Sequence, residues 1–398
     1  MKAIIKRDRA SSILVDDKFY DTGKEIELSF SEAFRISRIS HVEVSYEKTP
    51  YNPELFACEK FFNFSGDIDM TSGFGGVSYH LLKESLKSYD VAYAGRTLDV
   101  HDYAILGARR RELQQKGAMV WHDQPRENWL NSPFEKNIAI VPFETTLIPK
   151  SWIARLNQFD ALLVPCEQNI EAFRNSGIKI PIDLIHWGVD PKQFYPLERP
   201  QRPIFTFGTM GALSVRKGTD ILIDAFLEAF PHQQDVRLLC KTSFNNYPFM
   251  VKDSRIEVQM SPVSHEELIN DFFRQVDCFV FPTRGEGFGL TPLEAMATGI
   301  PAIVTGWSGP LEYMNDEVGW LINHGMSPAK AFSEQVYKED CGDWAEPSKE
   351  HLIELMRHAY SNRDEVRAKG AAAAKHVQDN WLWKDKIKMY HDALEKHL

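Results

Sequence analysis

Glu286 and Glu294 stand eight positions apart in the stretch Cys278–Pro301, CFVFPTRGEGFGLTPLEAMATGIP. The pattern around them reads as a buried strand (CFVFP), a glycine-broken loop (TRGEGFG), a short helix (TPLEAMATG) and the start of another strand (PAIVT). One carboxylate falls in the loop and the other in the helix. A strand that empties through glycines onto a helix N-terminus presents unpaired backbone N–H groups and the positive end of the helix dipole, which suit an anion. Carboxylates are poor partners for phosphate and good partners for hydroxyls. The combination suits a ligand that is part phosphate and part polyol, such as a nucleotide-sugar. Gly285, Gly287 and Gly289 would let such a ligand approach backbone that side chains would block. Thr291-Pro292-Leu293-Glu294 also reads as a capping box with proline at the first helical position, in which Glu294 ties back to the Thr291 N–H. The residues alone leave both roles open for Glu294.

Three more clusters carry chemistry. Gly208-Thr209-Met210-Gly211 and Ser214-Val215-Arg216-Lys217-Gly218 follow a strand and precede a helix. Adjacent cations at that junction suit a diphosphate leaving group, whose developing charge Arg216 and Lys217 would stabilise; the plain alternative is a solvated loop. Ser72-Gly73-Phe74-Gly75-Gly76 is a glycine turn able to pass close to a phosphate through Gly75 and Gly76. Its spacing is wrong for a dinucleotide fingerprint and no acidic ribose partner follows, so it reads equally as a tight loop that helps helix packing. His122 ends the strand AMVWH, where it could hydrogen-bond a substrate, act as a base, or serve the structure alone. His186-Trp187-Gly188-Val189-Asp190 reads as architecture.

These clusters need strands to position them. From residue 60 the chain alternates: FFNFSGD, a helix from the glycine turn, YDVAYAG, a helix near Tyr103–Gln115, AMVWH, NIAIVPF, a helix around Ser151–Asn157, ALLVP, a helix around Gln168–Ser176, and IDLIHWG. A second run starts at residue 203 with PIFTFGTM, a helix over Gly218–Phe230, VRLLCKTS, IEVQM, a helix from Ser264 to Val276, then CFVFP, the helix after Thr291, and AIVTG. Such alternation predicts an α/β protein of two doubly wound, Rossmann-like parallel sheets, with ligands at the carboxyl ends of the strands. The proline-rich Tyr195–Pro203 reads as a hinge. Residues 1–50 read as a small β-rich appended module with one short helix (EAFRISRI), joined by the linker TPYNPELF. The chain ends in alanine-rich helix with Trp381 and Trp383 as anchors.

At 398 residues the chain suits two or three domains. Its net charge of −10 argues against a non-specific polyphosphate binder. Five scattered cysteines without metal spacing read as reduced thiols. No apolar run reaches membrane-spanning length, and charges at Lys6–Arg9 interrupt any signal peptide. A soluble cytoplasmic protein is expected, with no metal site and no resident cofactor.

Taken together, these residues resemble the retaining glycosyltransferases of family 4, which have the GT-B fold. GEGFGLTPLEAMATGIPAIVT matches that family's E-x7-E signature through Glu286, Gly287, Phe288, Gly289, Pro292, Glu294, Ala295, Gly299 and Pro301. WGVDPKQFYP looks like the family's crossing between halves, VRKGTDILIDAF resembles its R-K-G element, and FETTLIPKSWIARLNQFDALLVPCEQNIEAF is similar to the middle stretch of many members. The likeness covers roughly residues 60–398, with the C-terminal half the stronger; residues 1–50 match nothing in it.

The resemblance implies a division into an acceptor-side domain at 58–197, completed by a C-terminal helix at about 382–398, and a nucleotide-sugar donor domain at 203–381. It implies that Glu294 binds the nucleotide ribose, Glu286 contacts the donor sugar's hydroxyls, and backbone N–H groups of Gly287, Phe288, Gly289 and Leu290 approach the sugar and phosphate. Lys217 would bind the diphosphate, Gly75 and Gly76 would face it from the other domain, and His122 would lie near the sugar. One departure is Gly211, where many relatives carry an arginine; Arg216 would have to supply that charge. The implied reaction is metal-independent transfer with retention, the leaving phosphate taking the acceptor's proton and the two halves closing on the substrates. The donor's base and sugar, the acceptor (a glycan, a small molecule or a modified DNA base) and the oligomeric state are open. Alternatives are the same chemistry on a hydroxylated DNA base, served by a basic strip at Arg109, Arg110 and Arg111, a non-catalytic nucleotide-sugar-binding protein, and an epimerase of the same fold.

Overall fold

The computed structural model describes residues 60–69, 72–98, 102–242, 252–260 and 265–398, together with the backbone of five short strands before residue 50. Those strands are β1 (Lys2–Lys6), β2 (Ser12–Val15), β3 (Lys18–Asp21), β4 (Glu25–Glu27) and β5 (Glu43–Tyr46). β1 pairs antiparallel with both β4 and β5, and β2 with β3. The expected EAFRISRI helix, the TPYNPELF linker and Cys58 lie outside the described residues.

Nine strands follow: β6 (Phe61–Ser65), β7 (Ile68–Asp69), β8 (Asp90–Tyr93), β9 (Thr97–Leu98), β10 (Ala118–His122), β11 (Lys136–Ile140), β12 (Ala161–Val164), β13 (Ile182–Leu184) and β14 (Phe205–Met210). Six of them form a sheet in the order β13-β12-β11-β10-β6-β8, and β7 and β9 pair apart from it. The residues of β6, β8, β10, β11 and β12 are almost continuously buried, as in Phe62, Phe64, Val120 and Ile138, because helices cover both faces of a parallel sheet, while the edge strand β13 is half-buried. In chain order the arrangement is 6-5-4-3-1-2, so the strand order reverses between β6 and β10.

The second sheet contains β14, β15 (Val236–Thr242), β16 (Ile256–Met260), β17 (Cys278–Phe281), β18 (Ala302–Thr305) and β19 (Gly319–Ile322), in the order β16-β15-β14-β17-β18-β19. Every pairing in it is parallel. Phe205, Phe207, Leu238, Cys240 and Val280 pack from one face onto Leu222, Phe226, Leu352 and Met356 of the helices Thr219–Ala229 and Lys349–Ser361. The order reverses between β14 and β17, which makes their carboxyl ends the place where loops diverge and leave room for a ligand. A hairpin of β20 (His324–Pro328) and β21 (Asp343–Pro347) follows β19.

The chain divides into two compact units, one of residues 1–140, 158–162 and 394–398, the other of residues 141–157 and 163–393. The prolines of Tyr195–Pro203 fall inside the second unit. There the Leu197 N–H donates to the Thr298 carbonyl and Arg199 reaches the Thr298 hydroxyl, so the segment is tied down.

Several elements depart from the periodicity. The helix expected over 103–115 spans Tyr103–Arg110, because Arg111 turns extended and pairs with Asp90 at 3.0 Å. The segment read as a helix to Val276 winds unevenly, with a turn at His265–Glu267, a π-turn at Leu268–Phe272 and a 3-10 turn at Phe273–Gln275. Phe272 and Phe273 are both fully buried, and a regular helix would aim adjacent side chains about 100° apart; the changed winding accommodates both. The strand at IDLIHWG stops at Leu184. At the C-terminus, Asn362 separates the helices Lys349–Ser361 and Arg363–Asn380, and Trp383–His397 follows. Trp381 and Trp383 are buried, and their backbone exchanges hydrogen bonds with Val189.

Candidate active site

The loops after β14 and β17 meet at the switch point of the second sheet. After β14 the chain passes Gly211 at φ +132° and reaches Gly218 at φ +68°, which precedes the helix Thr219–Ala229. A Cβ on Gly218 would lie 1.8 Å from the Pro282 carbonyl oxygen, so only glycine lets the loops pack this closely. The Arg284 N–H donates to the Arg216 carbonyl at 2.7 Å, joining them. Arg216 and Lys217 are thereby aimed at one carboxylate. Lys217 Nζ lies 2.6 Å from Glu286 Oε1, Arg216 Nη1 donates to the same oxygen at 2.8 Å, and Thr283 Oγ1 donates to it at 3.2 Å. Arg216 Nη1 also donates to the Gly285 carbonyl at 2.6 Å. Burial would raise the Glu286 pKa, but Lys217 and Arg216 hold it below the ordinary value. Burial pulls Lys217 down, with Arg216 adding to the effect against Glu286.

Glu294 behaves differently. It lies on the helix Leu290–Ala297, whose N-cap is Gly289 at φ +86° with no side-chain cap. The capping box expected at Thr291–Glu294 is therefore not formed, because the helix starts before Thr291. Thr291 Oγ1 is buried with no partner among the described residues. The half-buried Glu294 carboxyl likewise has no hydrogen bond or ion pair among them, and burial pushes its pKa up to about 7.

The glycines of this loop serve the protein's own packing more than expected. A Cβ on Gly285 would lie 1.9 Å from the Glu144 carbonyl oxygen, and one on Gly287 would lie 2.5 Å from Pro142 Cβ. The space read as open to a ligand at these two positions is filled by the chain itself. The Phe288 ring is buried among Trp187, Tyr313 and Trp381, so its side chain is structural. Gly289 leads into the helix that begins at Leu290, and Tyr313 Oη donates to its carbonyl at 2.5 Å.

In the first unit, the residues read as a glycine loop form the first turn of the helix Gly73–Ser85, whose N-cap Ser72 accepts from the Gly75 N–H at 3.0 Å. Gly75 is required by packing, since a Cβ there would lie 2.4 Å from the Asp69 backbone. Gly76 faces open space. His122 sits at the β6/β10 switch point. Its ring stacks on Phe74 with centroids 3.9 Å apart, and its Nδ1 is 2.7 Å from Ser78 Oγ. Burial lowers its pKa to about 3, which leaves a neutral imidazole suited to hydrogen bonding and poorly suited to taking a proton.

Two residues escaped the sequence reading. Glu144, in the FETT segment, lies 3.8 Å from Arg216 Nη2; nothing in its local pattern marks it. Arg284 is buried between Asp220 and Glu346, with paired contacts of 2.8–2.9 Å to each. The arginine run does not form one strip: Arg109 donates to Thr97 at 2.7 Å and Arg111 pairs with Asp90.

Residues 204–338, which hold Arg216, Lys217, Glu286 and Glu294, match the family model described as glycosyl transferases group 1. The chain is 31% identical over 146 residues to the lipopolysaccharide core biosynthesis mannosyltransferase LpsB of Rhizobium meliloti (strain 1021), covering 32% of this chain and 41% of that one. It is 27% identical over 204 residues to the mannosyltransferase LpcC of Rhizobium leguminosarum bv. viciae, covering 44% and 55%. The chain thus spans about half the length of the curated relatives it matches. Among solved structures, the Anabaena HepE in complex with UDP and glucose superposes with a TM-score of 0.62 at 11% identity, covering 85% of this chain and all of that one. Sucrose-phosphate synthase from Thermosynechococcus elongatus gives 0.61 at 14%, covering 85% and 99%. The fold is GT-B, with two Rossmann-like six-stranded sheets.

Proposed function

We propose that this chain is a glycosyltransferase that moves a sugar from a nucleotide-diphosphate sugar to an acceptor hydroxyl, with retention and without a metal, as family 4 enzymes do. The observation that carries this reading is the convergence of Lys217, Arg216 and Glu286 at the β14/β17 switch point. The match of residues 204–338 to group 1 glycosyltransferases supports it independently.

In this reading the diphosphate competes with Glu286 for Lys217. Lys217 then stabilises the charge that develops on the leaving phosphate, and Glu286 is released toward the sugar hydroxyls. Arg216, held by Gly285 and Glu286, keeps the loop positive and makes up in part for Gly211. Glu294, without a partner among the described residues, accepts hydrogen bonds from the ribose hydroxyls. The bond from the anomeric carbon to phosphate breaks through an oxocarbenium-like state, the acceptor oxygen bonds to that carbon on the same face, and its proton passes to the departing phosphate oxygen. His122, neutral, serves as a hydrogen-bonding group in the domain that also holds Gly76. The names of the mannosyltransferase relatives favour a glycan acceptor over a DNA base.

Thermal-shift titration against UDP-, GDP- and ADP-sugars tests the donor class, followed by measurement of transfer or hydrolysis in the presence of EDTA. Stabilisation by one nucleotide series and release of its diphosphate support the reading. No shift with any of them contradicts it, stabilisation without turnover favours the non-catalytic binder, and loss of turnover with EDTA overturns metal independence.

A further inference from the structure

We infer that Glu144 is a third carboxylate of the nucleotide-sugar site, beside Glu286, contacting a hydroxyl of the transferred sugar and helping to choose which sugar is taken. This rests on the nucleotide-sugar reading above and assigns a residue outside the signature. Glu144 stands on a segment fixed from several sides. Phe143 exchanges hydrogen bonds of 2.9 and 2.6 Å with the Asn169 side chain, and Gln168 Nε2 donates to the Thr145 carbonyl at 3.0 Å. Thr146 and Leu147 donate to the carbonyls of Asp343 and Cys341, and the Asp343 N–H returns to Thr146 Oγ1 at 2.8 Å. The Glu144 carbonyl fills the space left by the missing side chain of Gly285, immediately before Glu286.

The backbone at Glu144 is therefore pinned beside the signature loop, yet its carboxylate is left without a hydrogen bond from another side chain among the described residues. Its nearest cation, Arg216 Nη2, is at 3.8 Å, beyond hydrogen-bonding distance, and the side chain is 24% exposed. An ion pair kept for stability looks otherwise in this protein: Arg284 holds Asp220 and Glu346 with four contacts of 2.8–2.9 Å. The guanidinium of Arg216 faces Glu286 with one Nη and Glu144 with the other, so the two carboxylates lie within the span of one side chain. Burial raises the pKa of Glu144, and the neighbouring Glu286 adds to this against Arg216. Hydroxyl donors satisfy such a group; a phosphate would repel it. A sugar placed against Glu286 is the source of hydroxyls that the proposed reaction supplies.

The test compares Glu144→Gln with wild type, using the nucleotide diphosphate and its sugar conjugate from whichever of UDP, GDP or ADP stabilises the wild-type protein. The expected result is a diphosphate Kd within about twofold of wild type and a donor kcat/KM lowered by about tenfold or more, the loss of a hydrogen bond to a charged group. The ratio of kcat/KM between donors epimeric at one hydroxyl narrows, which a residue that only steadies Arg216 would not produce. Unchanged donor kinetics and epimer ratio overturn the inference, as does an equal loss of diphosphate and sugar-nucleotide affinity. Glu144→Asp keeps the charge, and its melting temperature and diphosphate affinity expose any folding defect at this position. Failure of wild type itself to bind any of the nucleotides overturns the underlying reading, a separate outcome.

Discussion

Replacing Glu294 with glutamine should stabilise the protein at high pH while weakening its hold on a nucleotide. The carboxyl is half-buried without a partner among the described residues, and its pKa in the fold is about 7 against 4.5 for the free side chain. A raised folded pKa means that the native state keeps a proton the unfolded chain gives up. The contribution is fully present below pH 4.5 and is lost as pH rises to 7, reaching a penalty of about 3 kcal/mol above that. Glutamine keeps the shape and removes the titration. For a unit of this size, Glu294→Gln should raise Tm by roughly 5 °C at pH 8 and by little at pH 4. Differential scanning calorimetry of both proteins between pH 4 and 8 measures this. The ribose role adds a second signature: hydrogen bonds to the carboxylate favour its charged form, so nucleotide binding near pH 6.5 should release up to about three quarters of a proton in wild type and none in the variant. Calorimetric titration in buffers of different ionisation enthalpy reads that number. A Tm difference that does not vary with pH would refute the burial argument, and equal proton release in both proteins would refute the ribose assignment.

Three further outcomes follow from the same geometry. Gly285→Ala drives a methyl to 1.9 Å from the Glu144 carbonyl and should cost several kcal/mol in urea unfolding, whereas Gly76→Ala, with open space around it, should cost under about 1 kcal/mol. Arg284→Met leaves Asp220 and Glu346 without their shared cation and should destabilise by about 3 kcal/mol in urea unfolding. His122 is held neutral, with a folded pKa of about 3 against 6.5, so stability should fall by about 1.4 kcal/mol per pH unit between pH 6 and about pH 3 and no further below that. His122→Gln should flatten that part of the acid-denaturation curve; an unchanged slope would show that other groups cause it.

Much of the fold was legible because both sheets are parallel and covered. Runs such as AMVWH, ALLVP and CFVFP have no polar face, and their alternation with amphipathic helix patterns leaves few other arrangements. The hairpin β20–β21 was not legible, since His324–Pro328 is mostly exposed and carries no apolar period. The winding of 265–275 was hidden for the opposite reason, as adjacent buried phenylalanines obey tertiary packing and not helical period. At the site, the residue types and their strand ends could be read, but their partners could not. The pairing of Glu286 with Lys217 and Arg216 depends on two loops 70 residues apart meeting at a switch point. The glycines of the signature were visible as permissive positions, while what occupies their space, Pro142 and Glu144, comes from a segment 140 residues earlier in the chain. The capping box at Thr291 was a sound local reading overruled by Gly289, whose left-handed backbone starts the helix sooner.

The proposed reaction turns on Lys217 stabilising a diphosphate leaving group. Steady-state release of nucleotide diphosphate from a sugar nucleotide, compared between wild type and Lys217→Ala, reads that role. Glu286 keeps Arg216 in the variant, so the fold and its Tm should hold within a few degrees. The expected result is a kcat lowered at least a hundredfold, the scale of losing one charged stabiliser of the transition state. Turnover at the wild-type rate by a folded Lys217→Ala protein would show that Lys217 does not stabilise the leaving group.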